Sequence, residues 1–372
     1  MKKYYWHVTK VRLQRLDFWW FLQQAWKYVG VPLSHQLGKP LHGPILGGFV
    51  LTYGCDAGCF MCDLPQRAVR FKKQKRVEFD TAQMLKVVDE FVSIGTTGIG
   101  FMGGEPLLRK DFFEIIKYSD ERGLPVSVFT NGHFLDRPTT KEFLKSGIQS
   151  VGISLDSVDA ETHDRLRGSK GSFKRATDAI ANLRALRESS FPHVALSVGM
   201  CVSETNLDEV IPMVELAEKV GVDQVYFEAL HNYHNDYSPG GLERSYVARH
   251  KVSDAEKLDR VIDELLEIKR SNGIIGNSES YLKLLKRSLR GEELPIQCYA
   301  GYTTCFVDCF GSVFPCVTYM GLRRSIGNIQ EKNLKEIWVS EEYRQLRGEL
   351  SACRECFHSC NLETTVLFNR IP

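Results

Sequence analysis

Three cysteines, Cys55, Cys59 and Cys62, fall within eight residues in "CDAGCFMC". A tetrahedral metal site and a cubane iron–sulfur cluster each call for four ligands, so this set is one short. Structural zinc would need a ligand from elsewhere, and paired CxxC spacing is absent here. A redox disulfide would use two of the thiols and leave one. Three buried free thiols so close together are a further alternative. A cubane cluster with one open iron fits the set best, and the open iron leaves room for a substrate or cofactor to bind.

Seven more cysteines lie between residues 298 and 360: Cys298, Cys305, Cys309, Cys316, Cys353, Cys356 and Cys360. Thiols grouped in this way read as metal ligands of a reducing compartment before they read as disulfides, which predicts a cytoplasmic protein. The eleventh, Cys201 in "ALSVGMCVSE", reads as buried strand core. Zinc remains an alternative for the C-terminal group. The net charge of +2 over 372 residues gives no reason to expect a nucleic-acid partner. No run reaches the ~18 apolar residues of a membrane span. The first residues are broken by charges, which argues against a signal peptide.

The elements that must position these thiols follow from periodicity. From residue 48, short β-branched or aromatic runs alternate with helical patterns: "GFVLTYG", "TGIGFMGG", "PVSVFTNG", "SVGISLDS", "HVALSVGMCV" and "DQVYFEAL" are the strands. Such alternation implies a parallel sheet with right-handed crossovers. Six units are fewer than the eight of a closed barrel. The expected fold is therefore α/β, an open six-unit (β/α)6 partial TIM barrel over residues 48–275. Its site belongs at the C-terminal strand ends, where the first cysteine run already sits. Residues 276–372 are read as a small cysteine-rich α+β domain. In it "TTCFVDCFGSVFPCVTY" is a hairpin, "NLKEIWVSEEYRQLRGEL" a helix and "CRECFHSC" a loop.

The motif "CDAGCFMC" after a first strand, with "GGEP" at the end of the second, resembles the radical S-adenosylmethionine enzymes. The resemblance implies that S-adenosylmethionine is the fourth ligand of a 4Fe-4S cluster held by Cys55, Cys59 and Cys62. It further implies that an electron from the cluster cleaves the sulfonium to methionine and a 5′-deoxyadenosyl radical, which takes hydrogen from a substrate. Thiolate clusters reach roughly −700 mV, low enough for such a step. By the same resemblance the backbone at Gly103, Gly104 and Glu105, leading into Pro106, meets the amino group of S-adenosylmethionine. Ser154 and Arg167 correspond to family positions near its ribose and carboxylate. Met61 stands where the family often has an aromatic residue against adenine. The spacing Cys298-x12-Gly311-x4-Cys316 resembles the auxiliary-cluster domains called SPASM or twitch. The shortened tail Cys353-x2-Cys356-x3-Cys360 favours one auxiliary 4Fe-4S cluster, held by Cys298, Cys316, Cys353 and Cys356, with Cys360 the rival for the last place. Cys305 and Cys309 point to one face of a strand, as packing or as neighbours of that cluster.

The substrate implied first is a peptide or protein side chain, modified in a maturation or oxidative step. A lipid or lipid-linked sugar is the rival. Residues 1–47 form a basic aromatic extension in which Trp19, Trp20, Trp26, Arg12, Arg15 and Lys27 suit peripheral membrane contact by residues 1–43, unless the segment packs across the barrel. "RAVRFKKQKR" (67–76) reads as a solvated loop or as a strip for an anionic partner, including a reductant such as flavodoxin or ferredoxin. Tyr233, His234 and Tyr237, in a polar mid-chain loop, are catalytic candidates by location alone. A non-catalytic iron–sulfur electron-transfer or sensor protein is the reading of another class; it predicts no S-adenosylmethionine binding.

Overall fold

The structure is a computed structural model, and it describes residues 18–230, 252–322, 325–354, 358–369 and 371. Tyr233, His234, Tyr237, Arg12, Arg15 and Cys356 lie outside the described residues, as does the side chain of Trp19.

Among the described residues nine strands form one sheet in the order β6-β5-β4-β3-β2-β1-β7-β8-β9. The first six are Leu46–Val50 (β1), Ile99–Met102 (β2), Val126–Thr130 (β3), Ser150–Ser154 (β4), Ala195–Val202 (β5) and Gln224–Ala229 (β6). Each pairs in parallel with the next, as the alternating sequence predicts. All six contribute side chains or backbone to one central cavity, so the sheet curls as an open barrel. The strands alternate with small residues at their inward positions (Ser127, Ser150, Ser197, Gly199), which keeps that interior hollow.

The helices are Phe18–Leu37 (α1), Leu64–Lys73 (α2), Thr81–Ser93 (α3), Phe112–Glu121 (α4), Arg137–Lys145 (α5), Ala160–Arg167 (α6), Ser172–Ser190 (α7), Val210–Val220 (α8), Ala255–Ser271 (α9), Glu279–Arg290 (α10), Val317–Leu322 (α11), Leu334–Trp338 (α12), Glu341–Ser351 (α13) and Ser359–Val366 (α14). Their starts are written in the sequence. Asp80, Asp136, Asp159, Asp254 and Ser278 each accept a backbone N–H of the first turn, and Asp80 closes a reciprocal box with Gln83. The basic stretch 67–76, read above as a loop, is mostly α2.

The described strands of the C-terminal segment join the barrel sheet. Thr304–Val307 (β7) pairs in parallel with β1, and Ser312–Phe314 (β8) and Gly327–Asn328 (β9) extend the same sheet antiparallel. The β7–β8 turn is set by Asp308, whose Oδ1 accepts the N–H groups of Phe310 and Ser312. Gly311 closes it at φ +81°, and a Cβ there would meet Phe79 at 2.6 Å. The single helix expected over 333–350 is two, because Ser340 caps a second start at Glu341. Cys360, expected in a loop, lies in α14.

α1 closes the barrel floor. Trp20 is buried and its Nε1 donates to Thr97 O, while Lys27 is buried with Nζ 2.6 Å from both Pro44 O and Gly95 O. Burial pushes the Lys27 ammonium down to about 7. These two residues therefore face protein, not lipid. Phe18, Leu22, Trp26, Val29, Leu33 and Leu37 are exposed instead, at helical spacing along the outer side of the same helix. No helix among the described residues is long and apolar enough to cross a membrane.

Candidate functional site

The loop after β1 carries Cys55, Cys59 and Cys62, all partly accessible. Burial, the larger cause, and the neighbouring thiols push Cys55 up to about 11 and Cys62 up to about 12. A metal bound here would supply the positive charge that makes Cys55 and Cys62 thiolates. No three His, Cys, Asp or Glu side chains among the described residues converge as a single-ion site. A cubane would spread its three thiolates over three different irons. The Ala57 N–H donates to Cys55 Sγ at 3.4 Å and Arg167 Nη1 donates to Cys59 Sγ at 3.8 Å, so the donor set is soft and met by positive dipoles. These residues fit an iron–sulfur cluster.

The loop is docked at both flanks. On one side the "GGEP" run lies against it. Gly104 N donates to Thr52 O and Glu105 N to Gly54 O, each at 2.8 Å. A Cβ on Gly103 would sit 2.4 Å from Thr52 O, and one on Gly104 2.0 Å from Gly54 O. Only glycine lets the two backbones approach this closely. Glu105 is buried. Its carboxylate accepts Thr130 Oγ1 (2.7 Å), Asn131 N (2.9 Å) and Leu107 N (3.1 Å), tying the end of β2 to the end of β3. Burial pushes it up to about 7 against those hydrogen bonds. Pro106, also buried, opens a short 3-10 turn.

On the other side a polar chain leads from the loop around the barrel rim and back. Asp56 Oδ1 accepts Asn131 Nδ2 (2.8 Å), and its Oδ2 lies 2.6 Å from His133 Nδ1. Burial would raise the Asp56 carboxyl, but the His133 and Asn131 hydrogen bonds outweigh it and lower it. His133 Nε2 meets Ser172 Oγ at 2.7 Å, Ser172 Oγ meets His163 Nε2 at 3.3 Å, and Asp156 N donates to His163 Nδ1 at 3.1 Å. Asp156 Oδ2 then pairs with Arg167 Nε at 2.6 Å, and Arg167 returns to Cys59. Burial opposes the Arg167 charge, but Asp156 and Cys59 hold it cationic. The Phe60 N–H donates to Leu166 O, fixing the loop to the end of α6.

Arg167 and Asp156 also line the central cavity, of about 390 Å3. Ser154 lines it at the end of β4, with Phe129, half-exposed, on β3 and Glu228 on β6. Met61 is half-buried in the cluster loop and is not part of the cavity wall. Cys201, read as core, lies on that wall instead.

The described C-terminal cysteines differ in their surroundings. Cys298 and Cys316 are buried together with Ala300, Leu346 and Leu350, and Cys353 packs against them. Cys298 Sγ accepts Ala300 N and Cys316 Sγ accepts Tyr319 N, the same kind of contact as at Cys55. Cys305 and Cys309 are fully buried in the main core. Cys360 faces the barrel cavity. Behind the first group stands Arg347, buried, donating to Gly301 O and Trp338 O and stacked 4.0 Å from the Tyr343 ring.

Asp56, Asp156, His133, Phe129 and Glu228 were not singled out from sequence. Asp56 and Asp156 had a signal, since they sit inside "CDAGC" and "GISLDS". His133, Phe129 and Glu228 become visible only through the fold.

The chain matches the Radical SAM superfamily over residues 49–217 and an iron–sulfur cluster-binding domain, SPASM, over residues 298–361. It is 30% identical to an AdoMet-dependent heme synthase of Methanosarcina barkeri, over 82% of this chain and 85% of that protein. It is 29% identical to a mycofactocin maturase of Mycolicibacterium smegmatis, over 88% of this chain and 79% of that one. Its fold is similar to that of Streptococcus suis SuiB bound to the precursor peptide SuiA, with a TM-score of 0.64 and 17% identity, covering 92% of this chain and 77% of that one.

Proposed function

We infer the function from the premise that this chain belongs to the radical S-adenosylmethionine superfamily and carries an iron–sulfur cluster-binding domain at its C-terminal end. It is an enzyme whose cofactors are a 4Fe-4S cluster, S-adenosylmethionine and auxiliary iron–sulfur centres. When bound, the first cluster supplies the electron for reductive cleavage of S-adenosylmethionine, and with it hydrogen abstraction from substrate.

The proposed ligands of that cluster are Cys55, Cys59 and Cys62. Arg167 spans cluster loop and cavity, so it is the proposed contact for the S-adenosylmethionine carboxylate, held in place by Asp156. The Glu105 carboxylate is occupied by Thr130, Asn131 and Leu107, so the amino group is assigned to the Gly103–Gly104 backbone. Ser154 is assigned to the ribose end. Cys298, Cys316, Cys353 and Cys356 are the proposed ligands of one auxiliary cluster. Its place beyond the cavity suits an acceptor for the substrate electron or an anchor for substrate.

The proposed substrate is a peptide or protein side chain. The observation that carries this is the cavity itself: about 390 Å3 is near the lower end for small-molecule sites and must also admit part of S-adenosylmethionine. A side chain fits the remaining space while its backbone stays outside. A tetrapyrrole is the second reading, favoured by the heme synthase relative. Anaerobic reaction with a deuterated protein digest tests the first: deuterium should appear in 5′-deoxyadenosine. Stoichiometric binding of iron coproporphyrin III, seen as a Soret shift, with no deuterium transfer, would replace it by the second.

A further inference from the structure

We propose that Lys72, Lys73, Lys75 and Arg76 form the docking face for an acidic electron-transfer protein that reduces the cluster at Cys55, Cys59 and Cys62, an inference that rests on the functional reading above. α2 starts at Leu64, two residues after Cys62, and carries these cations at and beyond its C-terminal end. All four are exposed. None forms an ion pair among the described residues. Some surface cations elsewhere pair within a helical turn, as in Lys145–Glu142, Lys174–Asp178, Arg184–Glu188 and Arg344–Glu341. From Leu64 to Val77 there is no acidic residue at all. Unpaired charge of one sign beside a redox centre creates the field that steers an oppositely charged protein.

The face is held rigidly. At the start of α2, Arg67 pairs with Asp63 at 2.5 Å, both buried, and donates to Met320 O. Past its end the Arg76 guanidinium lies 3.9 Å from the Phe310 ring centroid and 4.9 Å from that of Phe71, and buried Asp308 draws it inward electrostatically. Lys75 adopts φ +54°, a left-handed conformation in which glycine would be less strained. None of the four residues lines the barrel cavity. A substrate must enter that cavity, whereas an electron donor needs only to approach Cys62 from outside, and this favours the donor as occupant. The step balances: the reduced partner gives one electron, the S–C5′ bond of S-adenosylmethionine breaks, methionine leaves, and the adenosyl carbon takes a hydrogen atom from substrate.

The test compares the reconstituted holoenzyme with a Lys72→Glu/Lys73→Glu/Lys75→Glu variant that keeps Arg76 stacked. A photoreduced acidic flavodoxin and photoexcited deazaflavin, a small donor, each drive 5′-deoxyadenosine formation, and oxidised flavodoxin is titrated separately for binding. The variant should lose about tenfold or more in rate with flavodoxin and keep its rate with deazaflavin. The wild-type flavodoxin rate should fall steeply as ionic strength rises from about 0.02 to 0.3 M. Equal loss with both donors, no loss with flavodoxin, or wild type unreduced by flavodoxin at low salt would overturn the proposal. A deficit seen only as a raised KM for peptide under deazaflavin would overturn it too, giving the face to an acidic peptide. Wild type that binds flavodoxin but yields no 5′-deoxyadenosine with either donor breaks the functional reading instead, and the binding deficit of the variant then still decides the docking face.

Discussion

The two cysteine regions are built on opposite plans. Cys55, Cys59 and Cys62 sit on a partly accessible loop with little apolar packing of its own. They are positioned by glycine backbone on one side and by the Asp56–His133–Ser172–His163–Asp156–Arg167 chain on the other. Cys298, Cys316 and Cys353 sit in a packed apolar pocket braced by helix α13 and the buried Arg347. The first plan would leave one side of a cluster held there open to a ligand and to a reductant. The second excludes water and fixes geometry. A centre that must bind and release a cofactor on each turnover needs the first; a centre that stores or passes an electron is better served by the second, since low exposure is one of the levers on cluster potential.

The largest expected effect follows directly. Cys59→Ala should abolish 5′-deoxyadenosine formation and remove about four irons per chain. Cys316→Ala should also remove about four irons yet leave uncoupled S-adenosylmethionine cleavage largely intact. Iron counting with the cleavage assay checks both. If Cys316→Ala abolished cleavage as fully as Cys59→Ala, the division of labour between the regions would be wrong.

Next in size is the backbone contact. Gly104→Ala drives a Cβ to 2.0 Å from Gly54 O, and the two backbones must separate. The expected loss is about 2–4 kcal/mol of unfolding free energy. Gly58→Ala, whose Cβ would lie 3.7 Å from Gly168 O, should change stability by less than about 0.5 kcal/mol. Urea unfolding of the two variants measures how far the loop depends on its glycine flank alone.

The polar flank gives a pH dependence on the acid side of neutrality. Burial, then the Arg167 charge, lowers His163 to about 4. The unfolded chain takes up this proton near pH 6.5, the folded chain only near 4. The stability that goes with neutral His163 is therefore complete above pH 6.5 and lost as pH falls toward 4, by up to about 3 kcal/mol. His163→Gln should flatten that part of the urea-midpoint profile.

The same contrast explains what was legible in the sequence. Strand–helix alternation is a local pattern, so the six barrel units could be read from it, and so could the cysteine runs with their glycines. Charge alone did not separate helix from loop in residues 67–76, because the amphipathic pattern of Arg67, Phe71 and their neighbours was masked by six cations. The addition of β7 to the barrel sheet was not legible, since its partner β1 is more than 250 residues away and nothing in "TCFV" names it. Nor was the inward turn of Trp20 and Lys27: a basic aromatic helix looks the same in sequence whether it covers a barrel floor or lies on a membrane. The polar chain from Asp56 to Arg167 draws on four separate segments, so only the fold assembles it.

Cys360 is the smallest effect and the sharpest test of the comparison. By spacing it competes with Cys356 for the auxiliary cluster. In the structure it lies in the first turn of α14 and lines the barrel cavity. Its neighbour Ser359 donates to the Glu228 carboxylate, which turns this end of the helix toward β6. Cys360→Ser keeps the side-chain volume nearly constant and should cost less than about 1.5 kcal/mol. Iron content should stay at the wild-type value, and 5′-deoxyadenosine formation without substrate should be unchanged. Any change should appear in substrate-dependent turnover, because the position belongs to the cavity wall. Loss of about four irons would instead place Cys360 in the packed centre. The two regions would then meet at a shared ligand on the edge of the substrate cavity, and the auxiliary cluster would have to be read as a substrate-binding site rather than an electron store.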